Sequence, residues 1–323
     1  MSRDQLAIES PPRGDDPLAA HGHSGRFGVW VDAPDKFRMD RVQPIHHNFH
    51  EHPLMQLPAL ASLARELSKT RQCRYISPGT QQSSVFNLDR EDPEGRGVDK
   101  VFDRIGEPGA WIALYNVATH PTYKAFLSEV ASAFRPLVDT QQPGMFGVDG
   151  FIFISAPPSV TPFHIDRENN FWLQIRGRKT MNVWDPRDRT VVDAAAVDDF
   201  IVNADLGKVR LMQGFRERSH EFDVGPGDGV YFPATSPHMT SCDPAWVTAD
   251  DRVVISIGVV FFTDVTRRAA NVHFWNRFLR RLGGHPREPG QSIWLDRLKH
   301  PLGRSLMWVA KTFRGYTPRP GMQ

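Results

Sequence analysis

The sequence predicts a mainly β fold with flanking helices (α+β), in which a double-stranded β-helix, or jelly roll, lies between N-terminal and C-terminal helical segments. From about residue 145, short apolar runs alternate with turn signals: GFIFIS, TPFHID, NFWLQI, TMNVW, HEFDV, GVYFP, HMTSC and VVISIGVVFFT. Eight or so strands of this length and spacing are typical of an antiparallel double-sheet jelly roll. On both sides of this block, apolar residues recur at helical spacing instead.

The segments around the β block predict helices and one further strand. PLMQLPALASLARELS predicts a helix over about 54–68, WIALYNV a strand over 111–117, and PTYKAFLSEVASAFRPLV an amphipathic helix over 121–138. Residues 186–220 are charged and without a clear period, which predicts an irregular insertion between strands. After Thr263 the helical period returns and continues to the end of the chain.

These patterns divide the chain into four parts. They are a disordered tail at 1–26, a helical and mixed region packing on the barrel at 27–144, the jelly-roll core at 145–265, and a C-terminal helical region at 266–323. The tail is polar and lacks the apolar middle of a signal peptide. No apolar run approaches the roughly 18 residues of a membrane helix. With only Cys73 and Cys242, a disulfide framework is excluded, and we expect a cytoplasmic protein without a membrane partner.

The charge is unevenly distributed although the net charge is only +2. Residues 267–323 contain twelve Lys and Arg against two Asp and Glu, so this end carries +10 and the rest of the chain −8. Solvated helix faces explain such an excess most simply, and the alternatives are an acidic partner, nucleic acid or a membrane surface. Apolar residues in VHFWNRFLRRL recur at helical spacing, with Arg277, Arg280 and Arg281 expected to point outward. We expect these helices to pack on the barrel and to form a homodimer contact, with nucleic-acid binding as the lesser alternative.

His164 and Asp166 are the residues that suggest chemistry. In a strand, residues two apart face the same side, so both side chains would point into the barrel, about 7 Å apart along the strand. His238 begins a later strand, after the turn GPGDGVYFP, and would supply a third ligand. Two histidines and one carboxylate on one face of a metal are typical of non-haem Fe(II) oxygenases. A core histidine beside a surface aspartate is the structural alternative.

Lys179 adds a possible anion site. NFWLQI and KTMNVW flank the turn at 176–178, and this arrangement predicts a hairpin of two paired strands. Alternation places Asn170, Trp172 and Gln174 on one face of the first strand, and Lys179 on a face of the second. An inward Lys179 would be a buried cation that needs an anion, whereas an outward one would be a solvated turn lysine. The alternation alone does not decide between these orientations.

The segment SVTPFHIDRENNFWLQIRGRKTMNVWDP closely resembles the core motif of JmjC-type and cupin-like Fe(II)/2-oxoglutarate oxygenases. It is especially similar to the asparaginyl hydroxylase that acts on hypoxia-inducible factor, through the shared pattern V-T-P-x-H-x-D-x-x-x-N-F-x-x-Q-I-x-G-x-K. VGPGDGVYFP followed by His238 matches the second motif of that family, and the motifs together span about 155–262.

The resemblance implies a role for each matching residue. His164, Asp166 and His238 would bind Fe(II), with 2-oxoglutarate and O₂ as co-substrates. Lys179 and Thr161 would bind the distal carboxylate of 2-oxoglutarate. Thr161 lies three residues before His164, so its role requires a local bend in the strand. Asn170 would lie beside the iron and the 2-oxo acid, while Trp172 and Gln174, on the same face, would line the substrate pocket.

The resemblance favours hydroxylation, because related halogenases lack the carboxylate that Asp166 provides. The substrate stays open between a small molecule or amino acid and a protein side chain, which a hydroxylase or demethylase of JmjC type would modify. A non-catalytic metal-binding cupin with a regulatory role is the third alternative. One departure concerns residues 234–237, Ala-Thr-Ser-Pro, where the family's protein hydroxylases carry aromatic residues. This difference argues against copying the asparaginyl substrate.

Apart from the candidate metal ligands, four histidines lie close together at positions 46, 47, 50 and 52. Their spacing matches no metal site, and they precede a predicted helix. We therefore expect them to serve in local capping and surface packing. Cys242 is expected to be a core residue.

Overall fold

The computed structural model describes residues 27–77, 79–248 and 252–322, so the predicted tail at 1–26 lies outside the described residues. Over these ranges, twelve strands form two sheets. The strands are β1 (Val29–Trp30), β2 (Gln43–His47), β3 (Cys73–Tyr75), β4 (Trp111–Leu114), β5 (Phe146–Ser155), β6 (Ser159–His164), β7 (Asn169–Arg176), β8 (Lys179–Val183), β9 (His220–Val224), β10 (Asp228–Phe232), β11 (His238–Cys242) and β12 (Val254–Phe262).

Both sheets are antiparallel, and the chain crosses from one sheet to the other several times. The larger sheet has the order β1-β2-β10-β7-β12-β5-β4-β3, and the smaller has the order β6-β11-β8-β9. Strands β5 to β12 are the eight that the sequence predicts, so the mainly β jelly-roll fold class is confirmed. The strands before residue 144 extend both edges of the larger sheet, in addition to the helices that pack on it. The four-part division of the chain stays a prediction.

The predicted pairing of β7 with β8 is wrong. β7 lies between β10 and β12 in the larger sheet, whereas β8 lies between β11 and β9 in the smaller one. The turn at 176–178 therefore carries the chain from one sheet to the other. Gly177 has φ 67°, and a Cβ there would come within 2.9 Å of the Val254 side chain. The tight turn thus needs glycine for both conformation and space.

Helices on the outer face of the larger sheet bury the main core. They are α1 (Leu57–Lys69), α2 (Val98–Asp103) and α3 (Pro121–Asp139), of which α1 and α3 confirm the predicted helices. On β7, Phe171 and Leu173 face this core, and Phe134 of α3 stacks on Phe171 with ring centroids 4.0 Å apart. The alternate residues of β7 therefore face the space between the sheets. β4 ends before the predicted position 117, and Asn116 adopts a left-handed conformation with φ 50°.

The insertion at 186–220 contains a helix that the sequence did not predict, α4 (Ala194–Asn203). Two aspartates interrupt its apolar spacing, and both are used by the next helix, α5 (Asp264–Arg281). Arg280 Nε donates to Asp198 at 2.9 Å and Arg277 Nε donates to Asp199 at 2.7 Å. The expectation that these two arginines point outward is therefore wrong, because they pair with carboxylates of α4.

The last helix, α6 (Ile293–Arg314), packs on α5 at close range. A Cβ at Gly303 would lie 1.9 Å from the carbonyl oxygen of Asn271, so only glycine allows this approach. Among the described helices, none has the length and apolar character required to cross a bilayer.

The histidine-rich stretch is more deeply buried than expected. His46 and His47 lie on β2 and are only 5% and 1% exposed, so their assignment to surface packing is wrong. Instead, His47 is hydrogen-bonded to the carbonyls of Gln174 and Asp228, and His46 lies beside the Trp30 ring and the Asp228 carboxylate. His52 does act as a cap, since its Nδ1 accepts the backbone N–H of Leu54 at 3.1 Å.

We predict that His47 makes folding sensitive to acid. Its Nε2–H donates to the carbonyls of Gln174 and Asp228, both at 3.1 Å, while Nδ1 accepts the N–H of Phe49. Burial lowers the pKa of His47 to about 3, against an ordinary value of 6.5. Below about pH 6.5 only the unfolded chain takes up this proton. Stability is thus lost progressively as the pH falls toward 3.

At pH 5 the loss from His47 alone should be about 2 kcal/mol relative to pH 7. Urea unfolding of the wild type and of His47→Gln, each at pH 7 and pH 5, gives the stability that each protein loses between the two pH values. The difference between the two losses is the contribution of His47. The variant will be less stable at pH 7 but should lose less stability between the two pH values. Equal losses in both proteins would contradict the assignment.

Candidate metal centre

The structure brings His164, Asp166 and His238 together at one end of the space between the sheets. Each offers one ligand atom, and these three atoms lie within 4.8 Å of one another. Asp166 Oδ1 is 4.0 Å from His164 Nε2, and Asp166 Oδ2 is 3.5 Å from His238 Nε2. In the part of the chain that the structure describes, this is the one group of three or more His, Cys, Asp or Glu side chains close enough to bind a metal.

The strand register places the two histidines. His164 ends β6, His238 begins β11, and the two residues are directly opposite each other in this antiparallel pair. Their ring centroids are 4.1 Å apart. Each ring is oriented by its own backbone, because His164 Nδ1–H donates to the Pro162 carbonyl at 2.7 Å and His238 Nδ1–H donates to the Ser236 carbonyl at 3.0 Å. Both Nε2 atoms thereby keep a free lone pair directed at the shared site.

Asp166 lies beyond the strand, whereas the sequence interpretation placed it within the strand. β6 ends at His164, and the carboxylate reaches the site from the loop after it. The Asp166 carbonyl accepts the N–H of Thr235 at 2.8 Å, which ties this loop to residues 234–237 before His238. Thr235 has φ 65°, the left-handed conformation, within this connection. The Ala-Thr-Ser-Pro segment thus positions both the carboxylate and the second histidine.

Burial keeps the site ready for a cation. The pKa of His164 is lowered to about 3, mainly by burial and further by the neighbouring His238, so its imidazole is neutral at physiological pH. Burial and the nearby Asp166 carboxylate raise the pKa of Glu168 and that of Tyr115. A divalent cation at the centre would offset this crowding of acidic groups.

Lys179 is inward, which resolves the alternative that the sequence left open. It begins β8 and is 2% exposed. Its Nζ donates to Ser256 Oγ at 3.1 Å and lies 5.8 Å from the centre of the Trp172 ring. Burial lowers its pKa, and none of the described carboxylates forms an ion pair with it. A buried ammonium group with one neutral partner is a site for an anion.

Thr161 and Asn170 also reach the cavity. The β6–β11 register shifts between the pairs His238–His164 and Thr240–Thr161, so β6 has one extra residue there. This bulge is the bend that the predicted role of Thr161 requires, and it turns Thr161 to the same side as His164. Asn170 faces the same cavity, and its buried Oδ1 has no hydrogen-bond partner among the described residues.

The cavity is narrow, about 20 Å³ in volume. Trp172 lines this cavity, and its role in a substrate pocket stays a prediction. Gln174 is not among the lining residues, because its amide Nε2 donates to the carbonyls of Arg176 and Gly177 at the end of β7. Both sheets contribute to the lining, for example Asn170 from the larger sheet and Lys179 from the smaller one. The lining residues are Tyr115, Phe151, Phe153, Thr161, His164, Asp166, Asn170, Trp172, Lys179, Met181, His238 and Thr240.

The aromatic wall of the cavity was missed from the sequence. Phe151 and Phe153 lie on β5, and the alternation in GFIFIS separates them from Ile152 and Ile154, which face the main core. The alternation can be read from the sequence and predicts that β5 has two different faces, but it does not show which of them faces the metal centre. Tyr115 stacks on Phe151 with centroids 4.5 Å apart. Its position after the end of β4 gave no signal.

Known proteins resemble this chain most clearly in its central part. Residues 140–260 match the family model of the JmjC domain. No protein of curated function matches the sequence significantly. Among solved structures, the chain is similar to the Escherichia coli ribosomal oxygenase YcfD in complex with cobalt and 2-oxoglutarate, with 16% identity and a TM-score of 0.48 over 88% of this chain and 69% of that one. A second structure of Escherichia coli YcfD gives 17% identity and a TM-score of 0.45 over 89% and 70%.

The family match covers β5 to β11 and most of β12, together with the two connections that carry the candidate ligands. It is independent of the geometric grouping of the three side chains, and both identify the same region. The three side chains His164, Asp166 and His238 all lie within residues 140–260, the part of the chain that is similar to the JmjC domain.

Proposed function

We propose that the protein is an Fe(II)- and 2-oxoglutarate-dependent dioxygenase that hydroxylates an unactivated C–H bond. The observation that carries this proposal is one cavity that contains two imidazoles, one carboxylate and a buried lysine that forms no ion pair with any carboxylate in the described ranges. The first three are the donor set of the non-haem Fe(II) oxygenases, and they leave coordination positions open. The lysine suits the distal carboxylate of a 2-oxo diacid.

The residues present fit both groups. The free lone pairs of His164 and His238 converge with the Asp166 carboxylate, as a metal requires. Lys179 Nζ has only a neutral hydrogen-bond partner, Ser256 Oγ, and Asn170 Oδ1 has no hydrogen-bond partner among the residues that the structure describes. When bound, Fe(II) would supply the site at which O₂, the oxidant, is activated, and 2-oxoglutarate would supply two electrons through its conversion to succinate and CO₂.

In this proposal each residue of the chain has a limited task. His164, Asp166 and His238 hold the metal on one side. Lys179 and Thr161, at the cavity end away from the metal, hold the distal carboxylate of the co-substrate. The aromatic wall of Tyr115, Phe151, Phe153 and Trp172 excludes water and surrounds the group to be oxidised. No side chain is required to act as a general base.

The substrate we favour is a small molecule or an amino-acid-type group. The cavity as it stands is narrow, about 20 Å³, below the ~300–1,000 Å³ range of small-molecule sites, so its walls must move apart to admit 2-oxoglutarate and the group to be oxidised. A group no larger than a side chain requires the least movement. Because a peptide could present such a group as well, a protein side chain is the second candidate substrate.

Succinate formation tests the proposal. With Fe(II), ascorbate, O₂ and 2-oxoglutarate, the purified protein should form succinate slowly even without a substrate. Addition of the right compound from a metabolite or peptide library should accelerate it. Failure to bind 2-oxoglutarate in the presence of metal would contradict hydroxylation of either a small molecule or a protein side chain. It would favour the third alternative, a non-catalytic metal-binding cupin with a regulatory role.

We also propose that two copies of the chain pair through α6. A stripe of exposed apolar residues follows one side of this helix: Trp294, Leu298, Leu302, Val309 and Phe313. Trp294 and Phe313 are 79% and 73% exposed. The stripe is symmetric, since an antiparallel second copy would place Trp294 against Phe313 and Leu298 against Val309. Such self-complementarity is what a two-fold interface requires.

Leu298→Arg should convert the dimer to a monomer, because it places a charge in the middle of the stripe. Size-exclusion chromatography with light scattering measures the mass. Lys311→Glu, an exposed position of α6 outside the stripe, is the matched control and should stay dimeric. Removing all residues after 265 would test the interface less specifically, because it would also remove Val272 and Phe274 of α5, which are buried in the fold. A wild-type monomer, or an unchanged mass for Leu298→Arg, would rule out this interface.

A further inference from the structure

A loop formed by residues 79–89, outside the part of the chain that is similar to the JmjC domain, covers one side of the metal centre. Its C-terminal end is fixed by a two-way backbone pairing of Asp89 with Tyr75, both N···O distances being 2.9 Å. Its middle is attached to the smaller sheet by Gln82. The carbonyl of Gln82 accepts the N–H of Phe163 at 2.9 Å, and its Nε2 donates to the Thr240 carbonyl at 3.3 Å. The loop is thus held against the strands β6 and β11, which carry the histidine ligands.

Phe86, in this loop, stacks on the first histidine of the centre. The ring centroids of Phe86 and His164 are 4.0 Å apart and the rings are inclined by only 12°. The phenyl ring is only partly buried, whereas His164 beneath it is 5% exposed. The stack therefore shields the imidazole from solvent on the side of the loop.

The imidazole needs this support because of its position at the end of a strand. β6 stops at His164, so strand pairing does not restrain the residues after it. The hydrogen bond from Nδ1 to the Pro162 carbonyl fixes one edge of the ring but leaves rotation about that contact. A parallel aromatic ring at 4.0 Å restricts this rotation and fixes the plane in which the Nε2 lone pair lies.

We propose that Phe86 is a positioning residue of the metal centre, which holds the plane of His164 so that Nε2 points to the site shared with Asp166 and His238. This inference rests on the proposed metal-binding function. It assigns to the loop 79–89 a part in metal affinity, although the loop lies outside residues 140–260 and its sequence, GTQQSSVFNLD, carries no metal ligand in the structure. Phe86 itself touches a ligand and not the metal.

The test separates the planar ring from mere apolar bulk. Co(II) is titrated into metal-free wild type, Phe86→Leu and Phe86→Tyr, and binding is followed by the visible absorption of the bound ion. Leucine keeps an apolar side chain without the stack, so Co(II) should bind roughly three- to tenfold more weakly, with an altered spectrum. Tyrosine keeps the ring and should bind within about twofold of the wild type. The matched control is Val85→Ala, because Val85 lies in the same loop and is 52% exposed. This variant should change neither the Co(II) affinity nor the spectrum.

Two outcomes would overturn the inference. One is that Phe86→Leu binds Co(II) with the affinity and spectrum of the wild type. The other is that leucine and tyrosine weaken binding equally, which would make the loop's shape, and not the ring, responsible. Thermal unfolding of each metal-free variant shows that weaker binding is not a loss of folding. If the wild type itself binds no Co(II), the proposed function fails, and this result is distinct from either of the others.

Discussion

Replacing His164 with alanine is expected to abolish metal binding and the conversion of 2-oxoglutarate to succinate together. The variant keeps only His238 and Asp166, whose ligand atoms are 3.5 Å apart, and loses one of two imidazole donors. Because even partners outside the ligand shell alter metal affinity by roughly 10- to 100-fold, loss of a ligand should exceed this range. Metal content after dialysis, measured by elemental analysis, and succinate formation check the two effects separately.

The matched control is His220→Ala. His220 lies on β9, is exposed, and does not line the metal cavity. This variant should retain about one metal per chain and the wild-type rate of succinate formation. If His164→Ala retained its metal while activity was lost, the histidine would have another role and the proposed ligand set would be incorrect.

Replacing Lys179 with methionine is expected to remove 2-oxoglutarate binding and leave the metal in place. Truncation of one partner in a buried charge pair costs about 2–5 kcal/mol, which is at least a roughly thirtyfold loss of affinity. The metal-free protein should become more stable at the same time, by about 1–3 kcal/mol, since the variant no longer buries an ammonium group. Burial lowers the pKa of Lys179, which shows that the fold disfavours its charge.

These opposite signs make the Lys179 prediction specific. Calorimetric titration of 2-oxoglutarate into the Mn(II)-loaded protein measures the loss, and urea unfolding of the metal-free protein measures the gain. Arg178→Gln changes the exposed residue that directly precedes Lys179 and should affect neither quantity. An unchanged affinity for 2-oxoglutarate in Lys179→Met would remove this lysine from the site.

The sequence was sufficient to predict the fold class and to single out the three side chains that the structure groups. Both depend on local signals, namely strand-length apolar runs and residues two apart in one segment. The partnership of His164 with His238, by contrast, depends on the long-range register of β6 and β11. Spacing along the chain only made it plausible. The role of Thr161 needed a bulge that no sequence rule placed.

Other features were beyond the sequence for physical reasons. A short turn normally joins paired strands, but the turn at 176–178 joins strands of opposite sheets, because β7 already has two partners in the larger sheet. α4 was not predicted because residues 186–220 are charged and lack a clear period, yet one of these charged side chains, Asp198, is 1% exposed and accepts a hydrogen bond from α5. The aromatic wall of the cavity and the stack of Phe86 on His164 are contacts between distant segments, which no local pattern encodes.

The most direct test of the metal and co-substrate site is a calorimetric titration of 2-oxoglutarate under anaerobic conditions, with and without Mn(II). The structure predicts binding of one 2-oxoglutarate per chain when Mn(II) is present and much weaker binding when it is absent, since Lys179 would then act without the metal. Binding of Mn(II) without any binding of 2-oxoglutarate would contradict the proposed dioxygenase and favour a metal-binding protein without this co-substrate.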